Sequence, residues 1–422
     1  MRLERVAAAG AVLAHEQTHA ALHEAFAGRH AGERILVLIP DHTRSLPLPS
    51  LFRSMVEALA EAASVTFMVA LGTHPPLDEA HLNRLVGVTA EERAGRFGHV
   101  RLVNHGWQDP KALASLGVLP QARIQAIAGE RWHPTLGGDV DVRVNRAVLE
   151  HDHVIVLGPT FPHEVVGYSG GVKYFFPGVS DGDMINVTHW LGALAGVRRT
   201  IGVADTPVRA MLNAAFELVP TPTTVAALVI DHGETAALYV GDPLEAWAAA
   251  AERSSQLHVR WVERPFHRVL SVAPPMYDEL WTAGKAMYKL EPALAAGGEL
   301  IIHAPHLSEI SFVHGRWIRE IGYHVLPYFL AQWERFAHVP LGVLAHSTHV
   351  RGDGDYVDGV ERPRARVTLA SRVPEEVCDA LALGYLDPDA IDPRAFADRE
   401  DEGILYVPKA GEVLYKARGP NP

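Results

Sequence analysis

The chain has 422 residues, 48% hydrophobic and 21% charged, which is the balance of a soluble globular protein too long for one ordinary core. A formal net charge of −12 argues against a nucleic-acid partner, which would need a basic surface. The single cysteine, Cys378, excludes an intrachain disulfide and a thiolate metal cluster, and suits a reducing compartment.

In chain order, the first candidate motif is His15-Glu16-Gln17-Thr18-His19, which matches HExxH. On a helix its two histidines share a face and could hold zinc while Glu16 acts as base. The motif is short and the chain contains 24 histidines, so an exposed amphipathic helix is the stronger reading. The same charged residues interrupt the N-terminal apolar run, which therefore does not read as a signal peptide. No stretch approaches the ~20 apolar residues of a spanning helix. The expected location is cytoplasmic.

Residues 34–39 (RILVLI) are a continuous apolar run ending at Pro40-Asp41 and read as a buried parallel strand. A helix follows in PSLFRSMVEALAEAA, then a second strand in 64–72, then a helix in LDEAHLNRLVG with Asp78 near its start. Residues 153–158 (HVIVLG) repeat the strand-then-loop pattern. The stretch 206–251 reads as helices and a strand. A fresh strand starts at Val269, a helix spans about 279–296 and ends at Gly297-Gly298, and strand ELIIHAP follows. The last residues, ILYVPKAGEVLYKA, read as a β-hairpin around Ala410-Gly411. Strands alternating with helices predict two α/β domains with mostly parallel sheets, over residues 1–262 and 265–400, with a tail at 401–422 that could return to the first domain.

Polar motifs sit just after three of these strands: Asp41-His42-Thr43-Arg44, Gly72-Thr73-His74 and Pro162-His163. Adjacent parallel strands would gather them at one carboxyl edge, where open α/β sheets bind ligands. Ser169-Gly170-Gly171, Lys173, Pro177-Gly178 and Thr188-His189 follow. The patterns GxxxxGK[ST], GxGxxG and GxSxG are absent, which disfavours a phosphate loop, a dinucleotide fingerprint and a nucleophile elbow.

With these residues in place the chain resembles the nickel-pincer lactate racemase family of 2-hydroxy acid racemases and epimerases. The likeness is most specific from Pro162 to His189, where histidine, lysine and histidine fall at 163, 173 and 189. The resemblance implies a nickel-pincer nucleotide, a nickel-bearing pyridinium mononucleotide with two sulfur-containing arms, joined covalently to Lys173. It implies His189 as the protein ligand to nickel, and His74 and His163 as the acid–base pair. Lys285 matches the family's substrate-binding lysine from the second domain, which puts the active site between the domains. Arg44 is the natural clamp for a substrate carboxylate, since guanidinium binds it bidentately. Asp41 and Thr43 contact the nucleotide or orient Arg44, and backbone N–H groups of Ser169, Gly170 and Gly171 receive its phosphate or brace the lysine linkage. Cofactor-building enzymes are the implied maturation partners.

Bland readings stand beside these. Asp41 and Thr43 could be a cap and a turn, Gly170-Gly171 a plain turn, and Lys173 and Lys285 solvated surface residues. The zinc hydrolase built on His15, Glu16 and His19, and a non-catalytic protein that binds a nucleotide or hydroxy acid, are the rival functions. Two departures from the family pattern are visible. Ser45 and Leu46 separate Arg44 from Pro47, and Thr282 stands where lactate-specific members carry a glutamine, which points to a substrate other than lactate.

Overall fold

A computed structural model describes residues 1–419. A seven-stranded sheet runs in the order Leu3–Val6, Glu234–Gly241, Thr223–Asp231, His153–Pro159, Arg34–Ile39, Ser64–Val69, Val100–Asn104. From Thr223–Asp231 to Val100–Asn104 every pairing is parallel, while the two strands at the other edge pair antiparallel. A five-stranded, wholly parallel sheet follows in the order Gly384–Leu386, Arg366–Ser371, Leu294–Ala304, Phe266–Val272, Ile404–Val407. The architecture is therefore mixed α/β with mostly parallel sheets.

Strand Arg34–Ile39 explains why its sequence is an unbroken apolar run. Side chains alternate across a sheet, and both faces here are covered by other elements. Ile35, Val37 and Ile39 pack in one core with Leu22, Phe26, Leu51, Phe52 and Met55, from helices His15–Phe26 and Leu48–Ala58. Leu36 and Leu38 enter the opposite core with Met184, Val187 and Trp190 of helix Gly182–Ala195. This second core continues to Val269, Leu300 and Ile302 of the five-stranded sheet. Tyr168, Phe175, Phe176 and Trp190 are buried there or in the small cluster beside Trp247.

Three local expectations are corrected. The stretch 206–251 supplies two strands, Thr223–Asp231 and Glu234–Gly241, where one was expected. The helix expected over 279–296 is broken into Leu280–Ala283, Lys285–Tyr288 and a 3-10 turn at Glu291–Ala293, with Pro292 denying the backbone a donor. Gly297-Gly298 then lies inside strand Leu294–Ala304 rather than past a helix end. The C-terminal residues form no hairpin: Ile404–Val407 pairs with Phe266–Val272, and Leu414–Ala417 pairs in parallel with Val259–Val262. A small antiparallel pair, Leu113–Leu119 with Val140–Asn145, went unforeseen. Among the described residues no helix is long and apolar enough to cross a membrane.

Candidate active site

Strands His153–Pro159, Arg34–Ile39 and Ser64–Val69 are neighbours and parallel, so the loops at their carboxyl ends converge. Gly72 N–H donates to the Gly178 carbonyl at 3.0 Å, tying the Gly-Thr-His loop to the loop after Lys173. The result is a pocket of about 1000 Å³, part of it open to solvent. Asp41, Arg44, His74, His163, Lys173 and His189 all line it. From the other half of the chain come Trp281, Thr282, Lys285, His346 and His349. A protein carrying a net charge of −12 thus gathers Arg44, Lys173 and Lys285 around one cavity, with Lys289 in the adjoining one.

The two loop histidines differ in their hydrogen bonds. His74 Nδ1 contacts the Asp41 carboxylate, which can only accept, so a neutral ring carries its proton on Nδ1 and keeps the lone pair on Nε2. Asp41 also accepts from the Thr43 backbone N–H at 3.0 Å and the Thr43 hydroxyl at 2.7 Å. Burial alone would raise this carboxyl, but His74, Arg44 and Thr43 outweigh it and hold it well below the usual carboxylate range. At His163 the Val165 backbone N–H donates to Nδ1 at 3.1 Å, which leaves the proton of a neutral ring on Nε2. Glu164 lies 3.5 Å from the same Nδ1, a contact attractive only to a protonated ring. Burial, then Lys173, Arg44, Lys289 and His189, hold His163 well below the ordinary histidine value, so the Val165 bond defines the state at neutral pH. His74 is thereby ready to accept a proton at Nε2, and His163 ready to donate from Nε2.

His189 projects from helix Gly182–Ala195, whose N-terminus is capped by Asp181 through the Met184 N–H. Its Nδ1 donates to the Ile185 carbonyl at 2.7 Å, fixing the ring with Nε2 free. Burial pushes its imidazole down to about 4, so it is neutral and able to ligate a metal. Outer hydrogen bonds of this kind are what orient ligating histidines.

Lys173 lies in the 3-10 turn Gly171–Tyr174. Burial, then Arg44, pushes its amine down to about 8. The glycines before it are sterically required. Gly170 has φ +81° and an added Cβ would stand 2.6 Å from the Thr160 hydroxyl, while Gly171 has φ +59° and would stand 2.8 Å from Trp247. They let the turn press against its neighbours, more than a plain turn asks. Ser169 departs from expectation: its N–H donates to Phe161 and its hydroxyl bridges Phe161 N–H and the Pro159 carbonyl. Neither group is available for a phosphate.

Lys285 is buried, and its Nζ has no hydrogen-bond partner. It sits 4.7 Å from the centre of the Tyr277 ring. Burial, then Arg44, holds it well below the ordinary lysine value. A bare buried amine opposite Arg44 is poised to be recharged by an anion. Lys289 behaves alike, bonded to the Pro162 carbonyl and pushed down to about 7 by burial. Thr282 is buried with its hydroxyl donating to the Glu279 carbonyl at 3.0 Å, so it offers the pocket little more than a methyl group.

Sequence reasoning missed His346 and His349 and the site role of Trp281. Both histidines lie on helix Leu341–Arg351, one turn apart. Trp281 stacks on His346 with ring centroids 3.9 Å apart and lies 4.4 Å from His314. The readable signal was HSTH inside an otherwise apolar helix. His15 and Glu16 are exposed, and His19 bonds Ser54 at 3.1 Å, with neither histidine at the pocket. The HExxH match is a surface helix.

Fold and pocket together define an α/β protein with a cation-lined, histidine-rich ligand site at the carboxyl ends of parallel strands. The sequence profile of the lactate racemase N-terminal domain matches residues 3–128 and 135–202. A lactate racemase from Thermoanaerobacterium thermosaccharolyticum is 24% identical over 307 residues, 68% of this chain and 64% of that protein. One from Lactiplantibacillus plantarum is 27% identical over 177 residues, 40% of this chain and 34% of that protein. The matches thus span less than two-thirds of these relatives' length. A crystal structure of a Thermotoga maritima protein superimposes with TM-score 0.89 at 31% identity, covering 97% of this chain and 99% of that one. The lactate racemase apoprotein of T. thermosaccharolyticum shares the fold, with TM-score 0.70 at 16% identity over 94% of this chain and 93% of that one. Residues 3–128 and 135–202 thus match the lactate racemase family, and the chain as a whole is similar to its members.

Proposed function

We infer that the chain is a racemase or epimerase of 2-hydroxy acids, working with a nickel-pincer nucleotide attached at Lys173 and ligated by His189. The observation that carries this reading is His189 itself, neutral, oriented by the Ile185 carbonyl, and facing the same pocket as Lys173, His74 and His163. The residues fit the group. A neutral imidazole with a free Nε2 suits nickel, and an amine lowered to about 8 is nucleophilic enough to be acylated near neutral pH. The nucleotide would supply an electron-poor carbon as hydride acceptor for C2 of the substrate.

The chain's own residues do the rest. Arg44 and Lys285 hold the substrate carboxylate, one as a planar fork and the other as a point charge. His74 takes the hydroxyl proton at Nε2, and Asp41 stabilises the imidazolium that forms. His163, with its proton on Nε2, hydrogen-bonds the developing carbonyl oxygen from its own side. The two histidines therefore enter the reaction unequally. For the opposite enantiomer His163 must give up its Val165 contact before Nε2 can act as base.

The pocket also favours a side chain larger than lactate's methyl. Thr282 leaves room, and a second cavity of about 660 Å³ shares Thr73, His189 and Trp281 with the first. Trp107, Trp317 and Val313 give that annex an apolar lining.

The test is intact-protein mass spectrometry on protein from a host able to build the cofactor, followed by a panel of enantiopure 2-hydroxy acids. An adduct of mononucleotide mass at Lys173 with one nickel, lost in Lys173→Ala, is expected. Unmodified Lys173 in active protein would end the reading. Lactate as clearly the best substrate would end the size argument alone.

A further inference from the structure

A second group of metal-competent side chains lies at the amino-terminal ends of two central strands of the seven-stranded sheet. His153 opens strand His153–Pro159, and its neighbour in the pairing is Ile35, near the start of Arg34–Ile39. The candidate active site sits past the far ends of those strands, ~20 Å away for a strand of this length. His30, in the turn before Arg34, brings its ring centroid to 4.5 Å from that of His153. Glu33 completes the group, with Oε2 at 2.8 Å from His30 Nδ1.

Three features set this cluster apart from ordinary buried histidines. His30 and His153 are 6% and 8% exposed, yet His30 Nε2 is buried without a hydrogen-bond partner. A buried polar nitrogen normally has one. The His153 ring is held through Nε2 by the Thr224 hydroxyl at 2.9 Å. One ligand atom from each of His30, Glu33 and His153 lies within 4.8 Å of the others. Tetrahedral bonds of ~2.0–2.1 Å separate ligand atoms by ~3.4 Å, so modest side-chain rotation closes the set. Glu33, whose side chain is 42% exposed, leaves a path for an ion to enter.

We propose that His30, Glu33 and His153 bind one divalent ion of the zinc class, with water in the fourth position. Two imidazoles and a carboxylate suit such an ion, and three protein ligands leave one position open. The ion would clamp the turn before the central strand to its neighbour. This site does not depend on the racemase reading.

The experiment uses the full chain carrying His189→Ala, so that the active-site ligand is removed. The protein is dialysed against zinc and then zinc-free buffer, and retained metal is counted by mass spectrometry together with a thermal-unfolding scan. One zinc per chain and a raised Tm are expected. Both should be lost on adding Glu33→Gln or His30→Gln, and kept on adding His15→Ala and His19→Ala, which control for casual binding by exposed histidines. Glu33→Gln, at a partly exposed side chain, keeps the test decisive if His30→Gln misfolds. No zinc retained by the His189→Ala chain, or full retention after Glu33→Gln, overturns the proposal.

Discussion

Replacing Asp41 by Asn is the sharpest probe of the His74 assignment. Asp41 uses one oxygen for the Thr43 N–H and hydroxyl, at 3.0 and 2.7 Å, and the other for His74 Nδ1. Asn has the same shape, and its orientation is dictated: the Thr43 N–H can only donate, so the amide oxygen must stay on Thr43. The amide NH₂ then faces His74 Nδ1 and turns that nitrogen into an acceptor. The imidazole proton moves to Nε2, and the lone pair needed for the hydroxyl proton disappears. The lost hydrogen bond to a charged group is worth about 1.5–3 kcal/mol. That alone lowers kcat by ~10- to 150-fold, before the tautomer change is added. Racemisation should be followed by chiral chromatography on enantiopure substrate, with cofactor loading measured by mass spectrometry. The expected result is a large fall in kcat with KM little changed and loading intact. A fully loaded variant within twofold of the parent would refute the pairing, and a rise confined to KM would mean that Asp41 acts through Arg44.

Other expectations follow from the same geometry. Because Lys285 is buried and held well below the ordinary lysine value, closing a carboxylate on it should recharge the amine. Calorimetry in buffers of different ionisation enthalpy should show proton uptake on substrate binding, absent in Lys285→Met. Burial also lowers His105, His153, His189, His314 and His349 to about 4. An unfolded histidine titrates near ~6.5, so between there and about pH 4 the unfolded chain binds more protons and stability falls as pH falls. Each such histidine contributes a slope of up to ~1.4 kcal/mol per pH unit, and a urea midpoint unchanged from pH 7 to 5 would contradict it. Phe52 packs between Phe67 and Phe97, with ring centroids at 4.8 and 5.3 Å, and is buried, so Phe52→Ala should lose ~3–5 kcal/mol in denaturant unfolding while leaving the remote pocket's chemistry intact.

Some of this was present in the order of residues. The run Ile35 to Ile39 had to be a strand covered on both faces, because nothing in it tolerates water. The strand-then-motif rhythm at Asp41, His74 and His163 required only that neighbouring strands be parallel for the three loops to meet. The spacing of His163, Lys173 and His189 carried the resemblance to the family without any coordinates. Local chemistry on a regular element is legible because its period is fixed by backbone geometry.

Tertiary structure decided the remainder. That Asp41 serves His74, and that Val165 sets the opposite tautomer on His163, depends on angles no spacing encodes. Ser169 looked free in sequence and is fully engaged by Phe161 and Pro159, because the turn folds back on the strand it follows. Trp281, His346 and His349 reach the pocket from more than a hundred residues downstream of Lys173, and the C-terminal strands pair with partners far upstream rather than with each other. Such contacts depend on how the sheets and helices pack together, and a linear pattern states only what each segment can become.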